Sequence, residues 1–347
     1  MNNMNKNLPS AEPCFSKTRN KKILVTGGAG YIGSITTKVL KEKGFEPIIF
    51  DSLVTGHKNS LDKEKFYQGD LVKDVELLDK VFKEEKPEGV IHFAAMSLVG
   101  ESVQNPQKYF TNNLIGALNL LKVMLANQVL KIVFSSTAAV YGEPQKIPIE
   151  EDDPKSPTSP YGESKLIIEK ILKWYSQAYG LSAIALRYFN ACGALLDGSL
   201  GEDHQPETHL IPAAMQAALG QKKDFTLFGN DYPTEDGTCI RDYIHILDLA
   251  EAHILALNNS QEGFKYYNVG TNHGFSVLEI IQMIKKISGV DFPTPFSPRR
   301  AGDPARLIAK AEKIKKELVW EPKYSDLETI IQSAWKWHKS HPRGFAS

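Results

Sequence analysis

Three side chains in the first half of the sequence have the types and the spacing needed for proton transfer at a hydroxyl group. Tyr161 and Lys165 are separated by one helical turn, so both side chains would lie on one face of a helix. A phenol is a poor base at neutral pH, but an adjacent ammonium group favours its phenolate form. Thr137 follows a buried strand and offers a hydroxyl that can relay the proton. These residues predict a tyrosine base, a lysine that lowers its pKa, and a threonine shuttle.

A glycine-rich segment has the pattern of a dinucleotide-binding loop. Gly27, Gly30 and Gly33 follow a strand-like run directly and precede a helical segment. Glycine permits a tight turn and close approach of a diphosphate, and the helix N-terminus adds unpaired N–H groups. Asp51 ends the next strand at a suitable distance, where it would bind ribose hydroxyls and repel a 2′-phosphate, which favours NAD. Asp70 follows the third strand and fits either an adenine contact or a turn.

Strands and helices that could position these residues alternate along the first half of the chain. Short β-branched or aromatic runs at 23–27, 47–51, 90–95, 131–136 and 183–190 alternate with helical segments at 34–43, 105–127 and 159–180. This order predicts right-handed crossovers and an α/β fold, a Rossmann-type doubly wound parallel sheet. The rest reads as a smaller α+β substrate-binding domain, with helix starts at the capping boxes Ser276–Glu279 and Ser325–Glu328.

The predicted organisation has three parts. Residues 1–20 are polar and predict a disordered extension. Residues 21–190 form the cofactor-binding domain and residues 191–347 the substrate-binding domain. Strands from about 240–272 are candidates to return to the large sheet.

Composition restricts the classes of partner. Lys+Arg and Asp+Glu are both 41 in 347 residues, which argues against a nucleic-acid or anionic-membrane binder. No apolar run approaches the roughly 18 residues that span a bilayer. The three cysteines lack CxxC spacing, which indicates reduced thiols in a cytoplasmic protein. The nine histidines lack HExxH or comparable spacing, so no metal site is predicted.

Longer motifs make the sequence similar to the UDP-glucose 4-epimerases of the extended short-chain dehydrogenase/reductase family, from about Lys22 to the C-terminus. The resemblance implies a non-dissociating NAD, hydride transfer at C4 of a UDP-sugar, a 4-keto intermediate, and a homodimer formed through helices 105–127 and 161–179. The motifs that carry it are VTGGAGYIGS, IHFAA, VGESVQNPQKYFTNN, FSSTAAVYGE, SPYGESKLIIE, RYFNACGA, GEDHQPETHLIP, FGNDYPTEDGTCIRDYIH and SPRRAGD.

The resemblance also implies the site residues, position by position. The NAD site would consist of Gly27, Gly30, Tyr31, Ile32, Gly33, Asp51, Asp70, Leu71, Phe93, Ala94, Asn112, Tyr161, Lys165 and Tyr188. The UDP-sugar would contact Thr137, Tyr161, Asn190, His209, Leu210, Phe228, Arg241, Arg300, Asp303 and Leu307. Arginines suit this role because a guanidinium group binds a diphosphate in bidentate geometry.

The sequence departs from the family pattern at three positions. Thr137 replaces a serine, Ser97 replaces a lysine near the cofactor diphosphate, and His209 replaces an asparagine. Leu307 is placed where side-chain size sets the room for a 2-acetamido group. Leucine is intermediate in size, so we expect conversion of UDP-glucose with weak or no turnover of UDP-N-acetylglucosamine.

Three alternative classes of protein share parts of this pattern. Nucleotide-sugar dehydratases and decarboxylases need a carboxylate just after the fifth strand, and the stretch from Thr137 to Ala139 has none. Epimerases of UDP-N-acetylglucosamine, UDP-glucuronate or UDP-pentoses share the catalytic set and remain open. A non-catalytic NAD-sensing protein would keep the glycine loop but would have no need for Thr137, Tyr161 and Lys165 together.

Overall fold

The computed structural model describes residues 20–300 and 303–345, so the predicted extension lies outside the described residues except for Asn20. The strands are β1 (Lys22–Thr26), β2 (Glu46–Asp51), β3 (Lys65–Gln68), β4 (Gly89–His92), β5 (Lys131–Ser135), β6 (Ser182–Tyr188), β7 (Asn190–Cys192), β8 (Leu227–Phe228), β9 (Ile240–Arg241), β10 (Tyr243–His245), β11 (Gly263–Val269), β12 (Phe275–Ser276), β13 (Phe296–Ser297) and β14 (Arg306–Leu307). The helices are α1 (Tyr31–Glu42), α2 (Val75–Glu85), α3 (Val99–Gln104), α4 (Pro106–Tyr109), α5 (Gly116–Ala126), α6 (Pro160–Tyr179), α7 (Leu210–Ala218), α8 (Ile246–Asn258), α9 (Val277–Ser288), α10 (Glu312–Leu318) and α11 (Leu327–Ser340).

A seven-stranded sheet forms the centre of the molecule, in the order β11-β6-β5-β4-β1-β2-β3. Its neighbouring strands are all parallel, and Val25 of β1 lies opposite Ile49 of β2 and Ile91 of β4. The chain reverses its direction of winding between β1 and β4, and ligands bind at such a switch point in open α/β sheets. The predicted doubly wound parallel sheet is therefore confirmed.

Helices cover both faces of this sheet because successive strand side chains point to opposite sides. On one face, Ile23 and Val25 of β1 pack with α1 and α8. On the other, Leu24 packs with α2, α5 and α6. Strands buried on both faces read as continuous apolar runs, which explains why the sequence pattern identified them.

The remaining elements pack around a second apolar cluster. Ile211 and Met215 of α7 contact Ile280 and Ile284 of α9, together with Ile331 of α11. Short strands connect this cluster to the large sheet: β7 pairs with β10, β12 and β14 flank β9, and β13 pairs with β8. Strand β11 is the outermost strand of the large sheet, beside β6.

Two predicted elements differ in detail. The segment 105–127 is divided into α4, a π-helical turn at Phe110–Ile115 and α5. The predicted capping box at Ser276 is present, but the prediction of a capping box at Ser325 is wrong. Asp326 caps α11 by accepting from the Thr329 N–H, because the Ser325 hydroxyl donates to Asp248 at 2.6 Å instead.

Two further features concern the described residues as a whole. Cys192 and Cys239 are buried free thiols. Among residues 20–300 and 303–345, no helix has the length and apolar character needed to cross a membrane.

Candidate active site

A cleft of about 1340 Å³ opens at the carboxyl ends of the central strands and extends to α7 and β9. Every residue predicted to bind the cofactor or the substrate, or to act in catalysis, lines this cleft. The sequence prediction therefore grouped residues that are distant in the chain but share one cavity. What each can do depends on its local geometry.

The glycine loop between β1 and α1 is packed too tightly for any side chain at two positions. Gly27 has a φ of +74°, and a Cβ there would lie 2.6 Å from the Ala94 nitrogen. A Cβ on Gly33 would lie 2.1 Å from the Gly27 carbonyl oxygen. Gly30 and the first residues of α1 line the cleft, and a helix N-terminus with unpaired N–H groups suits an anionic diphosphate. This loop therefore fits the diphosphate of a dinucleotide.

Two carboxylates lie at the glycine-loop end of the cleft. Asp51 is buried and accepts the Ala29 N–H at 2.9 Å and the Leu53 N–H at 2.8 Å. The first of these hydrogen bonds holds the glycine loop against the end of β2. Burial raises the pKa of Asp51, and these hydrogen bonds oppose the rise. Asp70 accepts the Val72 N–H at 2.8 Å, which gives it a turn-forming role while it also lines the cleft.

Tyr161 and Lys165 occupy successive turns of α6, which begins at the Ser159 cap as predicted. Both side chains are buried, and the Lys165 ammonium lies 5.9 Å from the centre of the Tyr161 ring. The Lys165 Nζ donates to the carbonyl oxygen of Ser135, at the end of β5, at 2.8 Å. Burial lowers the pKa of Lys165 to about 7. Burial also raises the pKa of Tyr161, and a hydrogen bond with Thr137 opposes that rise.

Thr137 and Tyr188 complete the walls around the phenol. The Thr137 hydroxyl accepts the Ala139 N–H at 3.1 Å, which caps a short 3-10 turn and holds this side chain at the end of β5. The Tyr188 hydroxyl lies 2.5 Å from the Ser135 hydroxyl. Ser135 therefore contacts both Lys165 and Tyr188, a positioning role that no sequence pattern beyond the adjacent serines indicates.

The π-helical turn at Phe110–Ile115 places Asn112 in the cleft. Such turns are rare and frequently occur at functional sites. Its neighbour Asn113 accepts the Met96 N–H at 2.8 Å and donates to the Ser164 hydroxyl at 3.1 Å. Asn113 thus connects the loop after β4 to α6, a link that sequence reasoning missed.

A buried ion pair supports the catalytic residues from beneath. Arg187 donates to both carboxylate oxygens of Glu169, at 2.9 Å and 2.5 Å, and to the Tyr141 hydroxyl at 2.9 Å. Glu169 also accepts the Ser136 hydroxyl at 2.5 Å. The pair thereby joins α6, β6 and the end of β5, which are the elements that carry Lys165, Tyr188 and Thr137.

The opposite end of the cleft has a cationic character. Arg241 at the end of β9 is nearly buried and forms an ion pair with Asp303, while its Nη1 donates to the Ile240 carbonyl at 2.8 Å. The Arg300 guanidinium stacks on the Phe228 ring, 4.3 Å from the ring centre. Two guanidinium groups next to an exposed aromatic ring suit a diphosphate attached to a planar base.

Three further predicted residues border the space between the two ends. Asn190 donates from its side chain to the Asp242 carbonyl at 3.0 Å, which ties β7 to the end of β9. Leu210 begins α7 and packs at the edge of the second apolar cluster. Leu307 of β14 packs with Val140 and Tyr141, directly beside the turn that follows Thr137.

His209 belongs to a group that the sequence prediction did not recognise. Glu202, His204, Glu207 and His209 come from one loop, and their potential ligand atoms all lie within 4.8 Å of one another. The alternating string GEDHQPETH was a usable signal, although it matches no standard metal motif. We refer to these four residues as the His–Glu cluster.

Comparison with known proteins identifies the class to which this fold and cleft belong. The chain belongs to the NAD dependent epimerase/dehydratase family, which matches residues 23–270. A UDP-glucose 4-epimerase of Halalkalibacterium halodurans is 54% identical over 327 residues, covering 94% of this chain and 98% of the relative.

Solved structures show the same similarity. A UDP-glucose 4-epimerase from Bifidobacterium longum, in complex with NAD+ and UDP, has a TM-score of 0.89 and 40% identity over 93% of this chain and 100% of its own. The UDP-Glc/GlcNAc 4-epimerase from Campylobacter jejuni has a TM-score of 0.81 and 44% identity over 92% of this chain and 100% of its own.

Proposed function

We propose that this chain is an NAD-dependent isomerase that interconverts UDP-glucose and UDP-galactose by inverting C4, a reaction of galactose metabolism. The observation that carries the proposal is the position of the Tyr161 phenol. It lies in one cleft between a glycine loop that fits a dinucleotide and a pair of arginines that fits a second diphosphate. Proton transfer and hydride transfer at one sugar carbon require this arrangement.

The roles of the chain's own residues follow from their geometry. Tyr161 takes the proton from the sugar 4-hydroxyl, and Thr137, hydrogen-bonded to it, relays that proton. Lys165 stands one helical turn away, so its ammonium form stabilises a Tyr161 phenolate. NAD, held by the glycine loop, would supply a reversible hydride acceptor for C4 of the sugar. Arg241 and Arg300 hold the diphosphate while the sugar turns over between the two transfers.

We propose that the cofactor contacts come from residues 21–190 and most sugar-nucleotide contacts from 191–347, with Thr137, Tyr161 and Asn190 of the first segment also facing the sugar nucleotide. The glycine loop, Asp51, Asn112 and Lys165 lie in the first segment, and the arginines lie in the second. Strand β11 belongs to the second segment by sequence but pairs with β6 in the large sheet. The two halves therefore share a continuous core, which keeps both sets of contacts at fixed distances.

The preferred sugar is set, on this proposal, by Leu307. This side chain packs against Val140 and Tyr141 beside the catalytic turn, so its size limits the room near the sugar ring. We expect faster turnover of UDP-glucose than of UDP-N-acetylglucosamine. The Campylobacter jejuni relative acts on both sugars according to its name, so an assay with both nucleotides is required. Faster turnover of the N-acetyl sugar would overturn the ordering.

The deciding experiment measures UDP-galactose formation from UDP-glucose by wild type and by Tyr161→Phe. Loss of the phenolic oxygen removes the base, so we expect kcat to fall by about 10²–10⁴, the usual contribution of general base catalysis. The matched control is Tyr179→Phe at the end of the same helix, where the side chain is exposed. Near wild-type activity in Tyr161→Phe, with NAD still bound, would refute the mechanism.

We also propose a homodimer and a cytoplasmic location. Ile115, Leu118 and Trp174 are exposed apolar side chains on the helical segments expected to pair, with Trp174 70% exposed. Large apolar side chains exposed on such helices are typical of a subunit interface. The buried free thiols of Cys192 and Cys239 suit a reducing compartment. Light scattering should give twice the mass of one chain, and a monomer at micromolar concentration would contradict the dimer.

A further inference from the structure

The His–Glu cluster brings two imidazoles and two carboxylates to one point on the wall of the cleft. The Nδ1 atom of His209 lies 2.7 Å from Glu202 Oε1 and 3.4 Å from Glu207 Oε1. The Nδ1 atom of His204 lies 3.2 Å from Glu202 Oε1 and 3.8 Å from Glu207 Oε2. Both histidines therefore present the same ring nitrogen to both carboxylates.

The two carboxylates of the cluster are buried, so their charge must be balanced locally. The Glu202 side chain is 6% exposed and the Glu207 side chain is 4% exposed. Within residues 20–300 and 303–345, no lysine or arginine forms an ion pair with either one. Unpaired buried carboxylates are costly, so protonated imidazoles or a bound cation must supply the compensation.

The His204 imidazole carries an additional indication. Its Nδ1 is buried and lacks a hydrogen-bond partner of acceptable geometry, although Glu202 lies close to it. A buried polar atom without a hydrogen bond is uncommon and needs a physical reason. One such reason is that the atom serves as a ligand, directed at a point shared with the other cluster residues rather than at another side chain.

We propose that the His–Glu cluster binds one divalent transition-metal cation, with Zn²⁺ as the expected ion. Imidazole nitrogens and carboxylate oxygens are both zinc ligands, and together they favour a transition-metal ion over Ca²⁺ or Mg²⁺, which prefer oxygen ligands alone. Ligand atoms about 2.0–2.2 Å from a tetrahedral zinc lie roughly 3.3–3.6 Å apart. The observed nitrogen–oxygen separations, from 2.7 to 3.8 Å, include that value, so small side-chain rotations would complete the shell.

The location of the cluster suggests a structural role for the ion. The loop connects β7 to α7, and His209 immediately precedes α7. The loop is already anchored, because the Trp337 indole donates to the Glu202 carbonyl at 3.1 Å and the Phe345 N–H donates to the Asp203 carboxylate at 2.8 Å. A metal bound by side chains of this loop would hold the cleft wall beside the sugar-nucleotide end, without entering the proposed proton and hydride transfers.

Proton release is a specific signature of this site. The Nδ1 atom of His209 lies at hydrogen-bond distance, 2.7 Å, from Glu202 Oε1, so a proton lies between these two ligand atoms in the metal-free protein. Binding must release that proton to the solvent. Metal affinity should consequently increase with pH, and calorimetry in buffers of different ionisation enthalpy should report protons released per ion bound.

The test uses the full chain with its bound nucleotide, treated with a chelator and then titrated with Zn²⁺. We expect one ion per chain after desalting and a rise in melting temperature. Glu202→Gln and His204→Gln should each weaken binding by at least tenfold. His273→Gln, at an exposed histidine outside the cluster, should bind as wild type does.

Two results would overturn the proposal. One is the absence of saturable binding by wild type, which would leave the cluster as an imidazolium–carboxylate network. The other is equal binding by wild type and both cluster variants, which would indicate an adventitious surface ion only. Co²⁺ titration of wild type provides a readout that does not depend on variant folding. A tetrahedral site gives intense visible absorption, and the weak spectrum of an octahedral aquo ion would also refute the assignment.

Discussion

The two ends of the cleft are built on different physical principles. The glycine-loop end uses the backbone between β1 and α1, where neither Gly27 nor Gly33 has room for a Cβ. The sugar-nucleotide end uses charged side chains on a short strand and a loop, with Arg241 of β9 next to Asp303 and Arg300 stacked on Phe228 of β8. One end therefore recognises its ligand by close backbone approach, and the other by charge and stacking.

This difference determines how each end responds to change. A backbone contact cannot be relieved by a side-chain rotation, so substitution at the glycine loop should have an all-or-none effect. A charged side chain contributes a limited and salt-sensitive part of the binding free energy. Substitutions in the glycine loop should thus lower NAD retention, and substitutions at the sugar-nucleotide end should lower substrate affinity.

The largest expected effect on cofactor binding comes from Gly33→Ala. Its methyl group would lie 2.1 Å from the Gly27 carbonyl oxygen, so the loop must shift away from the position that admits a diphosphate. We expect NAD affinity to fall by up to about 100-fold, since overpacking costs up to about 3 kcal/mol and each 1.4 kcal/mol is a factor of ten. The measurement is NAD released per chain by heat denaturation.

The control for Gly33→Ala is Gly100→Ala. A Cβ at Gly100 meets nothing within 4 Å, and the residue lies within a helix at the rim of the same cleft. This variant should retain its NAD. Full NAD content in Gly33→Ala would show that the loop is not held as rigidly as its packing indicates.

The two ends also differ in how far the sequence could predict them. Strands β1, β2, β4 and β5 are buried apolar runs, and the glycine pattern requires a tight turn wherever it follows such a strand. The sugar-nucleotide end depends on pairings such as that of Leu307 with Arg241, between two-residue strands distant in the chain. No periodicity exists over two residues, so these positions came from the resemblance to a family.

Buried polar partners were the least predictable features. Glu169 and Arg187 read as ordinary charged residues, and only the folded chain brings them together beneath the catalytic elements. The prediction of a helix cap at Ser325 was wrong for the same reason, because the distant Asp248 accepts the hydrogen bond of the serine hydroxyl. Local patterns specify elements, whereas the partner of a polar side chain is decided by tertiary structure.

The second prediction tests the buried ion pair of Glu169 and Arg187 beneath the catalytic elements. Glu169→Gln leaves the Arg187 guanidinium buried without its carboxylate, since both side chains are 3% exposed. We expect the free energy of unfolding to fall by about 3–5 kcal/mol, the usual cost of breaking a buried pair. Urea unfolding measures this loss. The surface pair of Lys285 and Asp291 is the control, and Asp291→Asn should change stability by less than about 1 kcal/mol.

The third prediction concerns the sugar-nucleotide end. Arg241→Gln should raise the KM for UDP-glucose by roughly 10–100-fold, since hydrogen bonds to charged groups contribute about 1.5–3 kcal/mol. NAD content should not change, because Arg241 is remote from the glycine loop in the cleft. Arg343→Gln, at an exposed arginine, is the matched control. Loss of NAD in Arg241→Gln would contradict the separation of the two ends.

The smallest expected effect lies where the two ends meet, at Lys165. Its pKa is lowered from 10.5 to about 7 because the ammonium is buried. Between these values the unfolded chain carries a proton on this lysine that the folded chain lacks, so the contribution of Lys165 to stability increases with pH. Below pH 7 both states are protonated and the burial cost is constant. Lys165→Met removes this dependence.

The measurement compares wild type and Lys165→Met, both refolded without nucleotide so that ligand release does not contribute. The variant has no titrating group at this position, so subtracting its free energy of unfolding cancels the contributions of the other groups. The difference should increase by up to about 1.4 kcal/mol per pH unit between pH 7 and 9, and should be flat below pH 6. Parallel curves would show that Lys165 stays protonated in the folded protein. In that case the Lys165 ammonium charge would always be available to the Tyr161 phenolate. The site around Lys165 would then act through a permanent charge, as the sugar-nucleotide end of the cleft does.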